Sequence, residues 1–150
     1  MSKLDKEGVK SYLTEISHML RSSHPISANN SLKLIDALMN IKAQDSLTHM
    51  SFSHLSSIAS LDLDKKELIK AVLNLAMPSI NVLNSKLFII DENGEYVELN
   101  KAEATEQMDQ GFLLNPLTGQ LVDRFENEVF PLFELSDSFQ SMKKLWYSNE

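Results

Sequence analysis

The chain has 150 residues, no cysteine and a net charge of −7, with 43% hydrophobic and 23% charged residues. That composition belongs to a folded globular protein, not to a disordered one. The missing cysteines exclude disulfides, Cys-ligated zinc, iron–sulfur clusters and thiol nucleophiles together, and no stretch approaches the ~18 apolar residues of a membrane span.

Residues 1–8 lack the apolar centre of a secretory signal, so a cytoplasmic protein is expected. The charge is unevenly placed. Residues 1–90 carry ten Lys/Arg against eight Asp/Glu, and residues 91–150 carry four against thirteen. An acidic surface repels phosphate backbones, so the second part of the chain argues against nucleic acid as the partner.

Val9, Tyr12, Leu13, Ile16 and Leu20 recur at helical spacing and predict an amphipathic helix over 8–21, closed before Pro25. Asn29, Asn30 and Ser31 offer caps for a second helix reaching about Ala43. A third, short helix is expected from Ser51 or Ser53, with Phe52, Leu55, Ile58 and Ala59 on one side. Asp64 and Glu67 stand at capping-box spacing ahead of a fourth helix ending by Pro78. Its expected buried face is Leu68, Ile69, Val72, Leu73 and Ala76.

Asn93-Gly94 is a strong hairpin signal, because both central positions of a type I′ turn need positive φ. A two-residue loop there pairs Ile90 with Val97 and Phe88 with Leu99. These four residues then face the core, while Ile89 and Glu98 face outward. Asn100 and Glu103 repeat the capping spacing for a helix to Gln110, with Gly111 just beyond it. Residues 112–114 and 120–122 flank the turn-forming run 115–119 and suggest a second small hairpin. Phe125, Val129, Phe130 and Phe133 sit near helical spacing, broken by Pro131. Ser136 then caps a last helix bearing Phe139, Met142, Leu145 and Trp146.

The residue inventory leaves little room for catalysis. Gly8, Gly94, Gly111 and Gly119 are too scattered for a phosphate-cradling loop or a nucleophile elbow. His18, His24, His49 and His54 lack metal-site spacing. Aligning Gly94 with the sixth position of a calcium loop puts Ile89 and Asn100 at its ends, where oxygen-rich ligands are required. The clustered carboxylates of the second half read as a solvated face. No catalytic residue, metal or cofactor is therefore expected.

Helix, helix, helix, hairpin over residues 31–99 resembles the winged-helix superfamily. Leu55, Ile58 and Ala59, then Leu68, Ile69 and Val72, then the Asn93-Gly94 wing carry the resemblance. It implies a mainly α fold with a small antiparallel β-hairpin: a winged-helix-like body over 1–111 and a C-terminal α/β extension over 112–150. Winged helices read DNA or bind proteins. For DNA, the resemblance points to Lys65, Lys66 and Lys70 at the start of the recognition helix. Yet no arginine lies between Arg21 and Arg124, and Asp91, Glu92 and Glu95 make the wing acidic.

The stronger expectation is a non-catalytic protein-interaction module or adaptor. It would work through a protein partner, basic or nucleic-acid-associated, or through self-association. Seven of the eleven aromatic residues follow Gly111, and Trp146 and Tyr147 are its anchor candidates. A DNA-binding regulator using the three lysines is the alternative.

Overall fold

The structure is a computed structural model describing residues 3–41 and 47–148. The chain is mainly α with a small antiparallel β component, and its C-terminal part mixes helix and strand. Among the described residues the order is α1 (Lys3–Ser23), α2 (Ala28–Asn40), α3 (Phe52–Ile58), α4 (Lys65–Leu75), β1 (Leu83–Ile90), β2 (Tyr96–Leu99), α5 (Lys101–Asp109), α6 (Phe125–Glu128), β3 (Phe130–Leu135) and α7 (Asp137–Tyr147). The strands form one sheet in the order β2-β1-β3.

Two compact units are built from this order. The first comprises residues 1–84 and 133–150, and the second is the continuous stretch 85–132. The expected boundary at Gly111 falls inside the second unit, just past α5.

Four helix starts follow their caps. The Oγ of Ser51 accepts the N–H of His54, and the carboxylate of Asp64 accepts that of Glu67 at 2.8 Å. Asn100 receives Glu103 N–H, and Ser136 receives Phe139 N–H, both at 3.0 Å. Each cap supplies an acceptor to a donor that the first helical turn leaves orphaned. The start of α2 differs from the expected Asn29–Ser31. Its N-cap is Ser27, with no side-chain cap bond, and Ser31 lies inside the helix. There the Oγ of Ser31 donates to the Ala71 carbonyl at 2.9 Å, and Asn74 Nδ2 donates to Ser27 Oγ at 2.7 Å. Ser27 and Ser31 thus tie α2 to α4. The helix ends at Asn40, where Ile41 turns extended, short of the expected reach to Ala43, a residue outside the described ones.

In the first unit α2 packs on α4 and α1 on α7. Ile16, Leu20, Leu34, Leu38, Leu55, Val72, Leu75, Phe133 and Phe139 are among the buried side chains of its core. On α4 the buried residues are Ala71, Val72, Asn74 and Leu75, whereas Leu73 is 47% exposed. The expected face was rotated, because the α2–α4 polar contact turns Asn74 inward.

The hairpin register corrects the expectation by one residue. Pairing runs Leu87↔Leu99, Phe88↔Glu98, Ile89↔Val97 and Ile90↔Tyr96. The loop has three residues, not two. Gly94 N–H donates to the Asp91 carbonyl at 3.0 Å, and Asp91 N–H donates to the Glu95 carbonyl at 2.9 Å. The Asp91 carboxylate accepts from both Asn93 N–H and Glu95 N–H at 2.9 Å. Gly94 alone takes positive φ here, at 78°, which makes a turn closed by a G1 bulge. Asp91 captures two backbone donors, and that favours the longer loop. A one-residue slip exchanges the faces of a strand. Ile89 is therefore buried and Ile90 half exposed, opposite to expectation, while Val97 and Leu99 are buried and Glu98 exposed as anticipated. Phe88 is buried, but on the face away from Ile89, Val97 and Leu99.

Gly94→Ala meets no steric obstacle, since a Cβ there has nothing within 4 Å. Its cost is conformational, and we expect a loss of about 1 kcal/mol from the left-handed position. Urea unfolding measures it, and Gly94→Asn should lose less.

The second unit has its own core of Ile89, Val97, Leu99, Ala104 and Leu113. The expected second hairpin is reduced to a bridge, Leu114↔Leu121, around the 115–119 turn. The helical reading of Phe125–Phe133 is corrected too. α6 stops at Glu128, and Phe130–Leu135 is a strand. Pro131 is tolerated because β3 is an edge strand.

Candidate protein-interaction surface

The corrected register creates the most distinctive surface of the second unit. Side chains alternate across a strand, so Lys86, Phe88 and Ile90 of β1 share one face with Tyr96 and Glu98 of β2. Phe130 of β3 joins them. The rings of Phe88 and Phe130 stack with centroids 6.2 Å apart, Tyr96 meets Phe130 edge-on at 5.5 Å, and Tyr96 lies 6.2 Å from Phe88. Edge-to-face and offset arrangements are the favoured ones for aromatic quadrupoles.

The trio is graded in exposure. Phe88 is 4% exposed, whereas Tyr96 is 59% and Ile90 48% exposed. Phe88 thus supports a platform whose open part is the Tyr96 ring and the Ile90 side chain. These two stand directly opposite each other across the strands. Next to them the hairpin loop and the 115–122 turn enclose a shallow groove of about 220 Å³. Ile89 and Val122 line it, with Leu121 exposed beside Asp91, Glu92 and Asn93.

Charge reinforces the contrast. Residues 85–132 hold ten acidic side chains against Lys86, Lys101 and Arg124. The first unit holds eleven of each sign, so the whole net charge of −7 resides in the second. Nine of those ten carboxylates are exposed, and Asp91 is half-buried because it ties the loop. Lys86 stands 3.6 Å from Glu98. Both are solvent-exposed enough for that pair to contribute little.

The residues singled out from sequence lie in the first unit. Lys65, Lys66 and Lys70 are exposed on the opening turns of α4. Trp146 and Tyr147 are half-buried at the end of α7. Trp146 packs on the helical core, with Lys6 Nζ 5.4 Å from its ring centroid. The Tyr147 hydroxyl donates to the Met39 carbonyl. Lys143, one turn earlier, is buried and donates to the Ile41 carbonyl, and burial pushes its pKa down. Burial raises that of Tyr12. Sequence reasoning missed Tyr96 as a surface ring. The signal was Asp91 ahead of Asn93-Gly94, an Asx-turn residue that lengthens the loop.

Among the described residues no three His, Asp or Glu side chains gather to hold a metal ion, and no helix is long and apolar enough to cross a membrane. Comparison with protein-family models, curated proteins and solved structures finds no match to this chain.

Proposed function

We propose that the chain is a non-catalytic protein-interaction module of the cytoplasm, which docks on a basic, nucleic-acid-associated partner. One observation carries the reading: the open aromatic platform of Phe88, Tyr96 and Phe130 lies in the unit that holds all of the net negative charge. An exposed ring braced by a buried one offers a rigid anchor, and aromatic residues are enriched at interfaces and their hot spots. Surrounding carboxylates speed encounter with a basic partner and repel acidic ones. The winged-helix resemblance of residues 31–99 agrees, since that superfamily includes protein-binding modules.

Anchorage on Tyr96 is favoured over Trp146 and Tyr147, because Tyr96 is 59% exposed whereas the latter two rings are half-buried. Duplex DNA fits less well, because Asp62 and Asp64 just before α4 and Glu67 within it stand among Lys65, Lys66 and Lys70. Selection of random dodecapeptides on the immobilised full chain tests the reading. The enriched peptides should be net positive and carry aromatic or branched aliphatic residues, and Tyr96→Ala should abolish the enrichment. Acidic or unselected peptides would overturn it. So would a salt-sensitive duplex-DNA shift lost in Lys65→Ala with Lys66→Ala, and that result would install the DNA-binding reading.

A further inference from the structure

Among the described residues no strand pairs with the outer edge of β2. Antiparallel pairs alternate between those that exchange backbone hydrogen bonds and those that do not. Asp91 and Glu95 are bonded at the loop, so the bonded pairs continue as Ile89 with Val97 and Leu87 with Leu99. Tyr96 and Glu98 fall on the intervening positions, where N–H and C=O point away from β1. Among the described residues no turn, loop or cap bond engages either of those N–H groups. Both residues are exposed. An uncovered edge of this kind is a template for another strand.

We infer that this edge accepts an extended, basic segment of the partner as an added strand beside β2, an assignment that rests on the interaction reading above. Four backbone groups of Tyr96 and Glu98 supply the hydrogen bonds, as in other strand-addition complexes. Side chains supply the selectivity. On the platform face the incoming strand meets Tyr96 and Glu98, two positions apart, so it presents an apolar residue to the first and a basic one to the second. Glu92 and Glu95 in the loop extend the demand for positive charge. A second copy of this chain is disfavoured on the same edge, since like charges facing across strands destabilise pairing. The acidic edge thus blocks self-pairing and admits a partner of opposite sign.

The test is fluorescence anisotropy on the full chain with a labelled octapeptide, Lys-Lys-Ile-Ile repeated twice, which sets lysine and isoleucine two positions apart on each face of the strand. A second peptide has the same side chains but N-methyl groups on its two central residues, which block both of its edges. A third has glutamate in place of each lysine. Strand addition predicts that the lysine peptide binds, that N-methylation weakens it by about tenfold or more, and that the glutamate peptide does not bind. Protein variants add a second readout: Glu98→Pro removes the outward N–H and should weaken binding more than Glu98→Gln. Equal binding of the methylated and parent peptides, lost in Tyr96→Ala, would overturn strand addition and leave the interaction reading standing. No binding by either lysine peptide would overturn strand addition. If light scattering then also shows a dimer, the basic-partner reading falls with it.

Discussion

Phe139→Ala is expected to cost about 3–5 kcal/mol, the usual range for emptying a buried phenyl site. Phe139 is 0% exposed in the core of the first unit, one turn into α7. Its neighbours come from elements far apart in sequence, so the cavity cannot be closed by a local shift. Domains of this size hold only ~5–15 kcal/mol in total, so the loss should lower the thermal midpoint by roughly 10–30 °C. Calorimetry on both proteins measures it. A loss below about 1 kcal/mol would show that α7 is peripheral and return its last turn to the surface as an interface. The same burial shapes how α7 is probed. Truncation before Ser136 removes Phe139, Met142 and Lys143 from the interior, so it unfolds the unit whatever Trp146 and Tyr147 bind. Point substitutions at those two rings separate interface from core.

Lys143 should give the second large effect, and its two replacements should diverge. The side chain is 1% exposed, and its ammonium donates to the Ile41 carbonyl. Lys143→Ala leaves that carbonyl without its donor and opens a space three carbons and a nitrogen long, for an expected loss of about 2–4 kcal/mol. Lys143→Met fills the space and removes a costly buried charge, so it should stay within about 1.5 kcal/mol of the parent. The pH dependence has a definite sign. Burial lowers the pKa of Lys143 in the folded state. Between that value and the ordinary lysine range the unfolded chain binds more protons, and stability then rises with pH. The parent should therefore gain on Lys143→Met as pH climbs from neutral toward about 10. Denaturant midpoints of the two proteins across that range check it. A difference that is flat, or that moves toward the methionine variant, would mean that the ammonium is solvated.

What could be read in the sequence was local. Ser51, Asp64, Asn100 and Ser136 each sit three residues before the donor they satisfy, so proximity along the chain was enough to find them. The 115–119 turn was visible for the same reason. What was hidden depends on partners distant in sequence. Ser31 looked like a cap because its acceptor, the Ala71 carbonyl, is forty residues away. Phe130–Leu135 looked like a broken helix because strand character came from its place beside β1. The platform was hidden by a smaller thing, the Asp91 carboxylate. It holds two N–H groups and adds one residue to the loop, and that exposes Ile90 and buries Ile89.

The division of the chain also bears on synthesis. Residues 85–132 are continuous, so everything their core requires has been synthesised once Leu132 is added. The helical unit is discontinuous, and its interior stays open until Phe133, Phe139 and Met142 arrive. Contacts across such separations are slow to form. The acidic unit can thus fold from one continuous stretch while the earlier-translated helices still wait for the distant residues of their core. During that interval the helices expose their apolar stripes, the condition in which a nascent chain aggregates or recruits a chaperone.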